Sequence, residues 1–551
     1  MLRPWLEHYD YWVPPHLTYP ERPLWEILDA TCVEVPNAPA TAFLGATLTY
    51  QQIKIQTDWL AAALGRLGVA KGDRVGIMLP NCPQYVITAF AVLRHGAIVV
   101  NVNPTLAARE VRHIASDSGM RVVVALHTLA PLIHEVQGHC AIEHVIVTSL
   151  EAYAGVSSPT PHVPGTHSFA DLVNGDGRPP VTRVQTTPDD VAVLQYTGGT
   201  TGAPKGAMLT HRNIFANVIQ TETFTYRSRV RGEGRYMMVL PYSHVFGFTV
   251  GLMKGTWVGA LQILVPKFDV EGVLTAVRDL APTYFPAVPT VWVALLSHPR
   301  VSEFGLDRVR ISTSGGAPCA PDVLDRFERT VGRSLFEGFG LSEASPVTHS
   351  TPLFGLRKQG TVGLPMPDTD LQIVDTDTGE RTCGSGEAGE LCICGPQIMK
   401  GYWNRPEETA LALRTHADGR VWLHTGDIAT IDEDGYTRIV QRKKDMLIVD
   451  GFNVYPSEVE GVLCQHPAVV MAAVIGVFDA YHGEVVHAFV VLREGTSASP
   501  TDLTAHCARE LAPYKVPQQI AIRSTLPMTN LGKVLHRVLR EEISAEAATP
   551  Q

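Results

Sequence analysis

Residues 196–206 read YTGGTTGAPKG, and no other stretch restricts the fold and chemistry of this chain as tightly. Four glycines let successive backbone N–H groups turn toward one point without interference from Cβ atoms. Thr197, Thr200 and Thr201 add hydroxyls and Lys205 adds a positive charge. Thr197, Gly198, Gly199, Thr200, Thr201, Gly202 and Lys205 therefore make a candidate polyphosphate cradle. The stretch is not the usual P-loop, in which Gly-Lys is followed by Ser or Thr at the mouth of a helix. Here Pro204 precedes Lys205 and Gly206 follows it. VAVLQY before the loop and AMLTH after it are short apolar runs, which predicts strand, loop, strand, and a helix from about Asn213 onward. A flexible linker is the competing reading, but linkers do not carry such flanks.

The wider pattern is that of an α/β protein. DRVGIML, CPQYVITAFAVLRHG and AIVVNV alternate strand-like and helix-like segments, which implies substantial parallel sheet. At 551 residues the chain is too long for one ordinary core. The predicted architecture is a large multi-subdomain N-terminal α/β domain over residues 1–441 and a small mobile α+β C-terminal domain over residues 442–551. Residues 153–190, rich in Pro, Gly, Ser and Thr, read as an irregular connection. In the last part, Pro456 opens a helix, VVMAAVIGV and VVHAFVVL read as strands, and Ser499 with Asp502 caps another helix. The boundary is expected just after the hairpin at Asp434-Gly435, inside the charged run from Arg442 to Asp445.

Charge and cysteine usage exclude several classes. A formal net charge of −10 argues against a nucleic-acid partner. Nine scattered cysteines give no disulfide framework, which points to a reducing cytoplasm. Cys392 and Cys394, in ELCICG, fall on one face of a strand, and a packed strand is favoured there over a metal site. The N-terminus, MLRPWLEHYDYW, carries charges and aromatics where a secretory signal has an apolar core, so no export is expected. The most hydrophobic stretch, residues 245–266, is broken by Lys254 and by Gly251, Gly255 and Gly259, and reads as buried helix, turn and strand rather than a membrane span. Peripheral membrane contact stays open.

Downstream of the loop come EGFGLSE at residues 337–343, TGD at 425–427, RKKD at 442–445, GFNVYP at 451–456 and PMTNLGK at 527–533. With the loop, these resemble, in order, the motifs of the adenylate-forming superfamily: acyl-CoA synthetases, luciferase and the adenylation domains of peptide synthetases. The resemblance spans essentially the whole chain. It implies an acid–thiol ligase that converts a carboxylate and ATP to acyl-AMP and pyrophosphate, then transfers the acyl group to CoA, with Mg²⁺ at the phosphates.

The same resemblance implies roles for individual residues. Thr197 to Lys205 would embrace the β- and γ-phosphates, Glu343 would coordinate Mg²⁺, and Ser342 stands where many relatives carry Thr. Gly315, Gly316 and Ala317, with Glu337, Gly338 and Phe339, match the segments of the adenine slot. Asp427 matches the ribose-binding aspartate, Arg442 a residue that reaches ribose and phosphate, and Lys444 the hinge. Lys533 matches the lysine that bridges carboxylate and α-phosphate. Gly451 and Phe452 would line the pantetheine tunnel in a second arrangement of the small domain. His244, in LPYSHVFGF, borders the acyl site, and Phe246 and Phe248 would continue it. Each also has a plainer reading: tight turns for the glycines, a helix-start carboxylate for Glu343, a turn for Asp427, a solvated basic patch for Arg442 and Lys444, a surface lysine for Lys533, and a buried structural histidine for His244.

For the substrate, no acidic residue stands beside Ser243-His244 to pair with an amino acid's ammonium group. The wording of the loop and of RKKDM…GFNVYP is similar to medium- and long-chain fatty acyl-CoA synthetases. An aryl-acid ligase of the coumarate or benzoate type and a non-catalytic ATP or fatty-acid binder are the alternatives.

Overall fold

The computed structural model describes residues 3–175, 177–179, 184–197, 204–225, 232–376, 378–379, 381–449, 452–479, 483–528 and 534–548. The chain falls into two compact units: Met1–Asp370 with Cys394–Thr415, and Leu371–Ile393 with His416–Gln551.

The first unit is built on two sheets. One runs, from edge to edge, Gly401–Tyr402, Lys205–Thr210, Val191–Thr197, Ile98–Asn101, Arg74–Met78, Val122–Leu126, His144–Thr148, His167–Ser168. The pairings from Val191–Thr197 onward are parallel, while Lys205–Thr210 and Gly401–Tyr402 add antiparallel strands at one edge. The other sheet has a parallel centre of Pro39–Phe43, Leu261–Leu264, Arg235–Met238, Tyr284–Ala287, Ile311–Ser314 and Leu335–Gly340. Its centre packs around Trp292, fully buried against Phe285 and Phe327. The expected alternation is present: Arg74–Met78, helix Pro83–Arg94 and Ile98–Asn101 are consecutive, and every residue of Pro83–Val92 is buried. The helix after the loop spans His211–Thr225, beginning two residues before Asn213.

Side-chain amides join the two sheets at the carboxyl ends of their strands. Asn81 Nδ2 donates to the carbonyls of Met238 and Leu240, both at 2.8 Å, and Asn81 Oδ1 accepts from the Tyr242 N–H at 2.8 Å. Asn101 Nδ2 donates to Gln195 Oε1 at 3.0 Å, and Gln195 Nε2 donates to the Ser243 carbonyl at 3.1 Å. The Tyr85 hydroxyl sits between Asn101 Oδ1 and the Tyr242 carbonyl. The side chains of Asn81, Tyr85, Asn101 and Gln195 are all buried, so each group needs its partner.

Residues 245–266 form helix and strand, as expected. A π-helix, Gly247–Met253, runs into the short helix Lys254–Trp257 and then the strand Leu261–Leu264. Among the described residues no helix is long and apolar enough to cross a membrane.

The second unit holds two sheets. Asp370–Val374, Gly389–Cys394, Val421–Ile431 and Thr437–Arg442 form the first, with the predicted hairpin at Asp434-Gly435, where Gly435 has φ +87. In the other, Val469–Asp479 and Gly483–Leu492 pair along their length, and Gln519–Arg523 lies parallel to the latter. Their apolar runs are continuous because both faces are covered. Val474, Val486, Ala488 and Val490 enter one core cluster with Val459, Leu463 and Leu503 of helices Pro456–Gln465 and Pro500–Glu510. Ala473, Ile475 and Phe489 enter another with Leu539 of helix His536–Ala548. Ser499 and Asp502 form the predicted capping box. Residues 371–393 and 416–441 belong to the C-terminal unit, upstream of the boundary expected at 441, and their last strand is tied to helix Pro456–Gln465 where the Ser457 hydroxyl donates to the Val440 carbonyl at 2.6 Å. A hinge near Lys444 concerns motion, a separate property.

Replacing Asn81 by Ala strands two buried backbone groups, the Leu240 carbonyl and the Tyr242 N–H, while the Met238 carbonyl keeps its bond from the Val265 N–H. At about 1–3 kcal/mol for each unsatisfied group, Asn81→Ala should lower stability by more than about 2 kcal/mol, read as a fall in the urea midpoint followed by far-UV circular dichroism.

Candidate active site

The glycine-rich loop at residues 196–206 is the turn of a hairpin. Thr197 and Lys205 are paired in register at the ends of its two strands. Gly198, Gly199, Thr200, Thr201 and Gly202 lie outside the described residues, so only the frame of the cradle is seen. That frame is well tied. The Tyr196 hydroxyl donates to Asp117 Oδ2 at 2.7 Å, Asp117 also takes the Arg405 guanidinium, and His113 Nε2 lies 2.9 Å from the Pro204 carbonyl.

Lys205 connects to the candidate magnesium ligand through a tyrosine. Its ammonium lies 5.5 Å from the centre of the Tyr402 ring and 3.9 Å from Glu408 Oε1. The Tyr402 hydroxyl donates to Glu343 Oε1 at 2.8 Å. Tyr402 is held by the strand pair Gly401–Tyr402 with Lys205–Thr210, and the Glu343 carbonyl accepts from the Met399 N–H at 2.8 Å. Glu343 and Ser342 sit on the 3₁₀ turn Ser342–Ala344, both half-buried. The donor set suits magnesium: a half-buried carboxylate beside the phosphate hairpin offers hard oxygen, and Mg²⁺ is commonly held by one or two carboxylates together with substrate phosphates.

The candidate adenine segments converge. Gly315 follows the strand Ile311–Ser314 and comes so close to Gly338 that an added Cβ would lie 3.2 Å from the Gly338 carbonyl and 3.2 Å from Phe246 Cε1. Gly316 has φ +79, which favours glycine, and Gly316 and Ala317 are half-buried. Phe339 pairs across the sheet with His349, with ring centroids 5.7 Å apart. Burial raises the Glu337 carboxyl to about 7.

His244 enters the same neighbourhood through Phe246. Its Nδ1 accepts from the Phe246 N–H at 3.1 Å, which puts the ring proton of the neutral form on Nε2. Phe246 is half-buried against Gly315, whereas Phe248 is fully buried and belongs to the core.

In the second unit, Asp427 lies buried on the strand Val421–Ile431 and pairs in register with Arg442, whose Nε reaches Asp427 Oδ1 at 2.9 Å. Arg442 Nη1 also donates to the Thr425 carbonyl at 3.2 Å, and the Asp427 N–H to Thr425 Oγ1 at 3.0 Å. Lys444, in the turn Lys443–Asp445, has its pKa lowered by burial first and by Arg442 second. Phe452 begins the strand Phe452–Val454, paired with Leu447–Val449. Gly451 and Lys533 lie outside the described residues. The segment containing Lys533 is bracketed by a bridge between Met528 and Val534 and leads into helix His536–Ala548. That helix is tied back by His536 Nε2 to Glu460 at 2.9 Å and Arg540 to Asp445 at 3.2 Å.

Sequence reading missed Tyr402, Asn81, Asn101 and Gln195. The signal for the amides is a polar residue within or at the end of an apolar strand, as in VAVLQY and AIVVNV. Tyr402 carries no such mark.

Hydrogen bonds to charged groups contribute about 1.5–3 kcal/mol. Tyr402→Phe should therefore slow carboxylate-dependent ATP–pyrophosphate exchange roughly ten- to hundredfold, with a higher magnesium requirement, in a radiolabel exchange assay. Glu337 gives a pH signature. Its folded pKa, about 7, is above its ordinary value of 4.5, so the stability it contributes is complete below about 4.5 and lost as pH rises through about 7. Glu337→Gln should flatten the fall in thermal midpoint across that window, measured by calorimetry at a series of pH values.

Comparison with known proteins gives the family. The family model for AMP-binding enzymes matches residues 28–403, and that for the AMP-binding enzyme C-terminal domain matches residues 458–533. A long-chain-fatty-acid–CoA ligase of Bacillus subtilis (strain 168) is 40% identical over 555 residues, covering 98% of each chain. One from Yersinia pestis is 38% identical over 562 residues, again covering 98% of each. The crystal structure of ATP-bound MatB from Rhodopseudomonas palustris superposes with a TM-score of 0.85 at 28% identity, covering 94% of this chain and 98% of that one. With a family model over more than half its length and relatives of this similarity end to end, the chain belongs to the AMP-binding enzyme family.

Proposed function

We propose that this acid–thiol ligase activates medium- or long-chain fatty acids with ATP and passes the acyl group to CoA in the cytoplasm. The observation that carries the reading is the alignment of Lys205, Tyr402 and Glu343 at the mouth of the phosphate hairpin. It sets a cation and a carboxylate beside the place where pyrophosphate would depart. Full-length similarity to ligases named for long-chain fatty acids supports the choice of acid over the aryl alternative.

In the first half-reaction a carboxylate oxygen attacks the α-phosphorus, the bond to pyrophosphate breaks, and a mixed anhydride forms. Thr197 to Lys205 would hold the β- and γ-phosphates, Gly315 to Ala317 and Glu337 to Phe339 the adenine, Asp427 the ribose hydroxyls, and Arg442 the ribose and phosphate. Bound at Glu343, Mg²⁺ would neutralise charge on the departing pyrophosphate. Lys533 would meet the charge that builds on the carboxylate and α-phosphate. In the second half-reaction the CoA sulfur attacks the acyl carbon, its proton is lost, and AMP leaves. Turning about Lys444, the small domain would withdraw Lys533 and bring Gly451 and Phe452 to the pantetheine arm. The exposed side chains Tyr11, Phe354 and Leu356, the first two packed about Trp12, support peripheral contact with a membrane as the source of acyl chains.

Pyrophosphate release with ATP, Mg²⁺ and a panel of fatty and aromatic acids, with and without CoA, tests the reading. Acid-dependent release strongest with fatty acids is expected. Turnover confined to aromatic acids would move the enzyme to the aryl class, and none with any acid would leave a binder. Lys533→Ala should reduce acyl-AMP formation by roughly two to three orders of magnitude while supplied acyl-AMP is still converted to thioester. Gly451→Leu should do the reverse, and equal loss of both half-reactions in either variant would refute the assigned roles.

A further inference from the structure

Away from the nucleotide chemistry, the second unit brings three metal-ligating side chains to one point. Cys392 and His424 are directly opposed on the antiparallel strands Gly389–Cys394 and Val421–Ile431. His416 reaches them from the turn that precedes the second strand, where its carbonyl accepts from the Gly419 N–H at 2.9 Å. Cys392 and His424 are buried and His416 is half-buried. The thiol sulfur and a nitrogen of each ring all lie within 4.8 Å of one another.

His416 Nδ1 faces Gln372 Oε1 at 2.7 Å, which draws the His416 proton to Nδ1 and leaves its lone pair on Nε2. His424 Nδ1 is buried without a hydrogen bond, 3.4 Å from Glu390 Oε2, an oxygen that also takes Lys443 Nζ at 3.0 Å. The two Nε2 atoms are 2.9 Å apart, the spacing of one ring donating to the other. A cation with soft character in place of that proton would engage both rings and the Cys392 thiolate together. An oxygen behind each Nδ1 is also the arrangement that orients metal-bound histidines. Packing fixes the His416 ring as well, since it stacks on Trp422 with centroids 5.3 Å apart and planes 15° from parallel.

We propose that Cys392, His416 and His424 form a zinc site. A thiolate and two neutral imidazoles suit Zn²⁺, and tetrahedral bonds of about 2.0–2.1 Å set the two nitrogens about 3.3 Å apart, a few tenths of an ångström beyond their present spacing. The fourth position falls to water on the His416 side, and binding releases the Cys392 proton. The ion would clip the turn at His416 to the sheet and brace Val421–Ile431 three residues ahead of Asp427 on the same strand.

The test uses tag-free full-length protein, stripped with a chelator and titrated with Zn²⁺ or Co²⁺. About one Zn²⁺ per chain is expected, with tetrahedral visible bands and a sulfur-to-cobalt charge-transfer band in the Co²⁺ form. Cys392→Ser should abolish the charge-transfer band, and Gln372→Ala should weaken Zn²⁺ binding by about tenfold or more. Cys464→Ser, an exposed thiol on helix Pro456–Gln465, should change neither. Should Cys392→Ser not fold by circular dichroism, His416→Ala at its half-exposed position tests the same site through loss of the tetrahedral visible bands. Sub-stoichiometric binding, a charge-transfer band that survives Cys392→Ser, or a proton resonance shared by the two rings that Zn²⁺ fails to displace would overturn the proposal.

Discussion

The carboxyl ends of the two sheets in the first unit are tied in one register by buried amide side chains, and the placement of the candidate site residues follows from that. Apolar surfaces tolerate sliding, but a buried amide is satisfied in one register and costly in the next. Gln195, two residues before Thr197 on its strand, donates to the carbonyl of Ser243, the residue before His244. One hydrogen bond therefore sets the distance between the glycine-rich hairpin and the segment that carries His244. Asn81 does the same for the chain entering that segment.

Tyr402 has a comparable part in the electrostatics. A lysine and a glutamate placed side by side would neutralise each other, and neither would then be available to phosphate or metal. The aromatic ring keeps them apart. Its face takes the ammonium and its hydroxyl orients the carboxylate, so Lys205 and Glu343 are both positioned without pairing with each other.

What could be read without a structure depended on how local the signal was. The hairpin around residues 197–205, the capping box at Ser499 and the strand pair Val469–Asp479 with Gly483–Leu492 are written in neighbouring residues, through glycine, cap and apolar run. The Glu343–Tyr402 bond spans 59 residues and has no periodic signature. The grouping of residues 371–393 with the C-terminal unit is a matter of strand pairing, which composition does not encode. Cys392 reads as a packing residue from its own strand, and its neighbours His416 and His424 become visible only once register is known. Phe246 and Phe248 are alike in sequence, yet one faces Gly315 and the other is core.

The π-helix at Gly247–Met253 has an evolutionary corollary. Such a stretch is commonly an α-helix carrying one surplus residue. Loss of a single codon would let it relax to the ordinary repeat and rotate the side chains on one flank by about 100° relative to the other. A lineage with this segment thus has, one in-frame deletion away, a different set of side chains facing inward after His244.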